Sequence, residues 1–142
     1  MEALRGVEIS VSVFSKQVYD VAFFYRLLMD LPTIAGLVAL GPPVIYSFPS
    51  VHVPTERGFT GVNVMVQSHV AFHHWPEQGF IHLTISSCKA VNETEVLRWL
   101  CQKFRGNRNT IRISSLPWDT YFLKGWQDEN MPHCGTWRPK SH

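Results

Sequence analysis

The sequence predicts an α+β fold, a two-layer sandwich in which one antiparallel sheet carries helices on one face. Three observations carry that expectation. Several segments alternate apolar and polar residues with the period of two that a half-buried strand requires. Two others repeat apolar residues three and four apart, the spacing of a helix with one stripe turned to a core. The order of these segments is strand, helix, a run of strands, helix, strand.

The first strand is "VEISVSVF", with Ile9, Val11 and Val13 on one face and Glu8, Ser10 and Ser12 on the other. "KQVYDVAFFYRLLMDL" sets Val21, Phe24, Leu27, Leu28 and Leu31 on one helical stripe, and Pro32 marks its end. After Pro43, "VIYSF" is rich in β-forming residues and reads as a second strand. The turn "PTERG" leads into a long strand from about Thr60 to Ser68, with Val62, Val64 and Val66 on one face as core. Another turn, "WPEQG", precedes "FIHLTISSC", which sends Ile81, Leu83 and Ile85 one way and His82, Thr84, Ser86 and Cys88 the other.

Asn92 caps the second helix, with Glu95 as its capping-box partner. Val96, Leu97, Leu100, Cys101 and Phe104 form the buried stripe, and Lys103, Arg105 and Arg108 suit the negative end of the helix dipole. "NTIRISS" closes as a short last strand. From Leu116 onward the pattern is lost. The expectation is therefore one domain over residues 1–116 and an irregular tail over 117–142, whose three tryptophans predict packing against something.

A chain of 142 residues buries one core without help from disulfides or metals. The net charge of +2 is too small and dispersed for a nucleic-acid footprint. Cys88, Cys101 and Cys134 cannot all pair and show no CxxC spacing, which points to a reducing compartment. No signal-peptide pattern opens the chain, and Gly36, Gly41, Pro42 and Pro43 interrupt its most apolar stretch, so neither a leader nor a membrane span is expected. A cytoplasmic domain is the default. Zinc is a weak reading of His69, His73, His74 and His82, because His73 and His74 are neighbours that point apart on a strand. His133 and Cys134 are weaker still.

The chemistry concentrates in "VQSHVAFHHWPEQGF", residues 66–80. A serine can attack the carbonyl carbon of the preceding residue, here Gln67, when backbone strain and a base assist. The amide becomes an ester, β-elimination breaks the chain, and the new N-terminal dehydroalanine hydrolyses to a pyruvoyl group, an electron sink for decarboxylation of an amino acid. Taken singly, each residue has an ordinary explanation: Ser68 faces solvent, His73 is structural, Cys88 is a small hydrophobe, Thr60 is a β-former and Glu77 belongs to a turn.

Together, "TGVNVMVQSHVAFHHWPEQGF" and "TISSC" resemble the S-adenosylmethionine decarboxylases of bacteria and archaea, which are pyruvoyl enzymes. Close motif matching runs over positions 58 to 88, and element order extends it to roughly 7–115. The resemblance implies that Ser68 is the pyruvoyl precursor, with scission between Gln67 and Ser68. It implies that Thr60 and His73 are the processing hydroxyl and base, that Cys88 is the proton donor to the substrate carbon, and that Glu77 holds the ribose hydroxyls. It implies a homodimer whose sheets face each other (αββα), each site taking Ser68 and Cys88 from one chain and Thr60 and His73 from the other. On regular strand geometry Ser68 and His73 have opposite parity, so cooperation within one chain needs a bulge.

Three positions depart from the family pattern. Gln67 stands where glutamate is usual, His74 where threonine is commoner, and Pro54 where an aromatic stacks on adenine. The function implied is pyruvoyl-dependent decarboxylation of S-adenosylmethionine for spermidine and polyamine synthesis, with no metal. The alternatives are a plain amino-acid decarboxylase (ornithine or arginine) and an unprocessed paralogue acting as a binding or regulatory subunit.

Overall fold

The alternating segments form six strands, β1 (Val7–Phe14), β2 (Val44–Phe48), β3 (Gly58–Met65), β4 (Ser68–Trp75), β5 (Phe80–Ser87) and β6 (Ile111–Pro117). The two periodic segments form helices α1 (Val21–Ala35) and α2 (Glu93–Lys103). The structure is a computed structural model and describes residues 5–48, 57–107 and 109–118. All strands join one sheet in the order β2-β3-β4-β5-β1-β6, and every neighbouring pair is antiparallel. The α+β architecture expected from the sequence is the one observed. Among the described residues no helix is long and apolar enough to cross a membrane.

One face of the sheet makes the core. Ile9, Val11 and Val13 of β1, Val70 and Phe72 of β4, and Ile81, Leu83 and Ile85 of β5 are buried against Phe24, Leu27, Leu28 and Leu31 of α1 and Val96 and Leu100 of α2. The Phe24 ring stacks on Phe72 with centroids 4.2 Å apart. Burying each large side chain contributes about 1.5–3 kcal/mol. That outweighs any single turn or cap, so the helix–sheet seam holds the layers together.

The helix boundaries differ from the sequence pattern at both ends. α1 starts later, because Asp20 accepts the Phe23 N–H at 2.8 Å and so ends the non-helical lead-in. Val21 leaves the buried stripe and is exposed. The helix also runs through Pro32 to a left-handed cap at Gly36. Proline lacks the N–H that would bond the Leu28 carbonyl, and a helix usually breaks on that account. Here the buried Asn63 of β3 donates its side-chain N–H to that carbonyl at 2.8 Å. A distant side chain thus replaces the missing helical bond. In α2, Asn92 accepts the Glu95 N–H at 3.2 Å, but the Glu95 carboxylate pairs with Arg98 at 2.7 Å instead of returning to the cap.

The expected long strand from Thr60 to Ser68 is corrected to two strands. β3 ends at Met65, Val66 and Gln67 turn the chain, and Ser68 opens β4. A second correction follows from Asn63. Because Asn63 and Met65 face the helices, Val62, Val64 and Val66 lie on the helix-free side or in the turn, and Val64 and Val66 are about half exposed. They are not core. At the other end of the chain β6 continues to Pro117, and Trp118 donates its backbone N–H to Gly6 at 2.8 Å. Pro54, His133, Cys134 and the tail beyond Trp118 lie outside the described residues.

His74 sits in the seam with its ring 4.9 Å from Phe24 and near Tyr19 and Phe59. It is 1% exposed and its Nδ1 has no hydrogen-bond partner. Burial lowers its pKa below the ordinary histidine value of 6.5. The unfolded chain then binds a proton that the folded one refuses, so stability falls as pH drops below about 6.5. Urea midpoints should decline from pH 7.5 to pH 5.5 in the native protein, and His74→Phe should flatten that decline.

Candidate active site

The five residues singled out in the sequence fall into groups at opposite ends of the sheet. At one end, Ser68 begins β4 and its Oγ accepts the backbone N–H of Cys88 at 3.2 Å. At the other, Thr60 of β3 and His73 of β4 are direct cross-strand partners, with Thr60 Oγ1 and His73 Nδ1 2.9 Å apart. Five residue steps along β4 separate Ser68 from His73, a span of about 16 Å. They also face opposite sides. Ser68 shares the parity of buried Val70 and Phe72 and is 8% exposed, whereas His73 stands on the helix-free face. β4 is a regular strand over this stretch, so the parity expected from the sequence holds without a bulge.

The Ser68 end is built on a tight turn. Gln67 adopts φ 54°, a left-handed conformation that a non-glycine residue holds at a cost of about 1–3 kcal/mol. Neighbouring backbone keeps it there: Val66 donates to the Val38 carbonyl at 3.0 Å, Leu40 donates to Val64 at 3.0 Å, and Ala39 bridges Met65. The peptide bond entering Ser68 therefore follows directly on the strained residue. The Ser68 hydroxyl is kept in place by an N–H from the β5 end. Cys88 contributes that N–H from its backbone, leaving its thiol uncommitted to the contact.

The His73 end is aromatic. His73 lies 5.7 Å from Trp75, Trp75 stacks on Phe80 at 5.5 Å, and Phe80 packs on Phe14 at 5.4 Å. His82 is the direct cross-strand partner of His73 on β5. Burial, and after it the charge of His82, push the His73 pKa below its ordinary value. His73 is consequently a neutral base at neutral pH, hydrogen-bonded to a hydroxyl. Glu77 is exposed in a single 3-10 turn (Pro76–Gln78) at this same end, away from Ser68.

Sequence reasoning overlooked Trp75, Phe80 and Phe14 as a group. Their signal was present in the register: β4 and β5 form a hairpin, so the residues sharing a face with His73 can be counted off once the turn is placed. His73 and His74 do point apart, one to the open face and one to the core. Among the described residues no group of three or more histidine, cysteine or carboxylate side chains is disposed to hold a metal.

The helix-free face is apolar over β2, β3 and the middle of β4 and polar over β5, β1 and β6, where Thr84, Ser10 and Ser114 continue the row of Ala71. Val44, Val62, Val64 and Ala71 lie on it with Tyr46, and Val44, Tyr46 and Val64 are substantially exposed.

A family model described as S-adenosylmethionine decarboxylase matches residues 10–115. The chain is 36% identical over 55 residues to a protein of Moorella thermoacetica named S-adenosylmethionine decarboxylase proenzyme, covering 38% of this chain and 44% of that one. Proteins of the same name from Acetivibrio thermocellus and Archaeoglobus fulgidus are 32% and 35% identical, over 42% and 34% of this chain and 48% and 45% of theirs. The chain thus spans a little under half the length of the curated relatives it matches. The family model reaches further, from within β1 through most of β6, and so takes in every strand and both halves of the site. On that match, this chain belongs to the S-adenosylmethionine decarboxylase family.

Proposed function

We propose that this chain cleaves itself between Gln67 and Ser68 and that the product decarboxylates S-adenosylmethionine, supplying the aminopropyl donor for polyamine synthesis. The observation that carries the reading is the Gln67–Ser68 turn: a strained residue supplies the carbonyl, and a buried, oriented hydroxyl follows it. Ser68 Oγ attacks the Gln67 carbonyl carbon while the amide nitrogen leaves it, converting amide to ester. Relief of the left-handed Gln67 conformation favours that step. Removal of the Ser68 α-proton then expels the Gln67 carboxylate, and hydrolysis of the dehydroalanine releases ammonia.

The pyruvoyl group made in this way supplies the electron sink for loss of CO2. The residues present fit it, since the only precursor it needs is Ser68 itself. Cys88 lies beside that position and returns a proton to the substrate carbon. Glu77 and the Trp75–Phe80 stack suit the nucleoside half, the carboxylate toward the ribose hydroxyls and the rings beside it.

No single chain assembles both groups, because about 16 Å separates them. The reading therefore includes an isologous dimer through the helix-free faces. A two-fold axis crossing β4 near Ala71 sets the Ser68 end of each protomer against the His73 end of its partner. His73 and Thr60 then stand at the other chain's Ser68 end as base and hydroxyl, an exchange that requires the Gln67–Ser68 turn to bring its hydroxyl round from the helix side to the shared face, and the apolar patch is buried.

Intact mass and a denaturing gel test the reading. The expected result is two fragments, residues 1–67 and 68–142, with a borohydride-reducible carbonyl on the second and release of labelled CO2 from S-adenosylmethionine. A single full-length chain that releases none would overturn it.

A further inference from the structure

The six strands contain two side chains of fixed charge, Glu8 of β1 and Arg112 of β6, and both stand exposed on the helix-free face. They do not meet within one chain. Glu8 is the cross-strand partner of Leu116, four residues along β6 from Arg112, so about 13 Å of strand lies between the two groups. The ion pair found among the described residues joins Arg98 to Glu95 instead. Glu8 is nevertheless held in a set orientation. Its Oε1 accepts the Trp118 indole N–H, at 3.0 Å, and the Ser86 hydroxyl, which fixes the carboxylate plane and leaves Oε2 without a protein donor among the described residues. The Trp118 ring lies in turn against Gly6, where any Cβ would collide with it.

The register shows where a second copy would bring these charges. Glu8 lies one row from that of Ala71 toward the Ser68 end, in line with Ser86 and His69. Arg112 lies one row from it toward the opposite end, in line with His73 through Ser12 and His82. A two-fold axis along the Ala71 row exchanges these outer rows and keeps each strand opposite its own copy. Glu8 of one protomer then lies over the partner's Ser12, with the partner's Arg112 one strand to the side. Packed sheets stand about 10 Å apart and neighbouring strands about 4.8 Å, so the two Cα atoms come within about 11 Å. An extended glutamate and an extended arginine together span that distance. Ser68 and His73 alone fixed the axis, and the matching of the two charges agrees with it independently.

We propose that Glu8 of each protomer pairs with the partner's Arg112, two symmetric ion pairs that set the alignment of one sheet on the other. The proposal rests on the dimer of the decarboxylase reading and deepens it. The apolar side chains of β2, β3 and β4 supply burial, which is non-directional and tolerates a slip along the strands. Charge pairs do not. A slip of one row, two residues or about 7 Å, would part Glu8 from the partner's Arg112 and leave each charge facing neutral groups. The same slip would draw the Ser68 end away from the partner's His73. Arginine suits the task, because its planar fork of donors engages a carboxylate whose own plane is already fixed.

Charge reversal tests the pairing, read as the dimer Kd by sedimentation equilibrium at low ionic strength. Glu8→Arg sets two arginines together at both contacts, and Arg112→Glu sets two glutamates together. Each should raise the dimer Kd about a hundredfold or more over wild type. The doubly exchanged chain, Glu8→Arg with Arg112→Glu, restores opposite charges at both contacts and should recover most of that loss. An equimolar mixture of the two single variants should do the same, forming heterodimers in preference to either homodimer. Glu8→Arg also removes the acceptor of Trp118 and Ser86, but the double variant carries the same lesion, so a damaged fold cannot produce the recovery. A dimeric wild type whose single variants weaken without rescue in the double variant or the mixture overturns the pair and leaves the dimer standing. Single variants that dimerise as tightly as wild type overturn it as well. A monomeric wild type overturns the face-to-face dimer and the pair with it, while self-cleavage and CO2 release are read separately.

Discussion

Ser68→Ala protein is expected to migrate as one full-length chain and to release no CO2 from S-adenosylmethionine. Alanine has no hydroxyl to attack the Gln67 carbonyl, so the loss is complete and not a matter of degree. The fold should tolerate the change. Ser68 is buried and accepts one backbone N–H from Cys88, and leaving that donor unpaired costs about 1–3 kcal/mol. A melting temperature lowered by a few degrees with an intact far-UV spectrum separates lost chemistry from lost structure. Cys88→Ala is the informative companion. The contact to Ser68 comes from the Cys88 backbone, so self-cleavage should proceed at close to the normal rate while turnover collapses. Normal turnover in that variant would remove Cys88 as the proton donor.

Coexpressed Ser68→Ala and His73→Ala chains are expected to recover activity that neither has when expressed alone. Each heterodimer has one site with both lesions and one with neither, because Ser68 and His73 of a working site come from different chains. With random pairing, half the dimers are mixed and half of their sites are whole, giving about one quarter of wild-type activity. A mixture as inactive as its parents would show that each chain builds its own site, and would require a rearrangement that brings His73 across five residue steps of a regular strand. Differently tagged chains and a two-step purification isolate the heterodimer, so the recovered activity can be read per site.

Much of this protein was legible before any coordinates. Alternation placed β1 to the residue and β5 to within one, Cys88 falling just past its end, and sorted their faces correctly, because a period of two leaves no choice once one face is buried. The reactive cluster was legible as well, since Ser68, His73 and Glu77 lie within the β4–β5 hairpin and Cys88 follows it directly. Less legible was any feature that depends on a residue far away in the chain. Pro32 reads as a helix stop, and only Asn63, 31 positions later, makes it a helical residue by taking over the Leu28 carbonyl. The valines at 62, 64 and 66 read as core for the same reason. Their alternation shows that they share a side, but not that the other side, with Asn63 on it, is the one the helix covers.

Local pattern thus specified the sheet, the helices and the chemical types at the centre of the site, because period, capping and turn preferences act within a few residues. Tertiary structure alone decided which side of β3 meets the helices, that the chain turns at Val66 and Gln67 so that Ser68 opens a new strand, and that Trp118 closes over Gly6 and bonds Glu8. The physical reason is register. Which residues meet across a sheet depends on where each turn falls, and one residue more or less in the turn at Val66 and Gln67 would put every side chain of β4 on the other face.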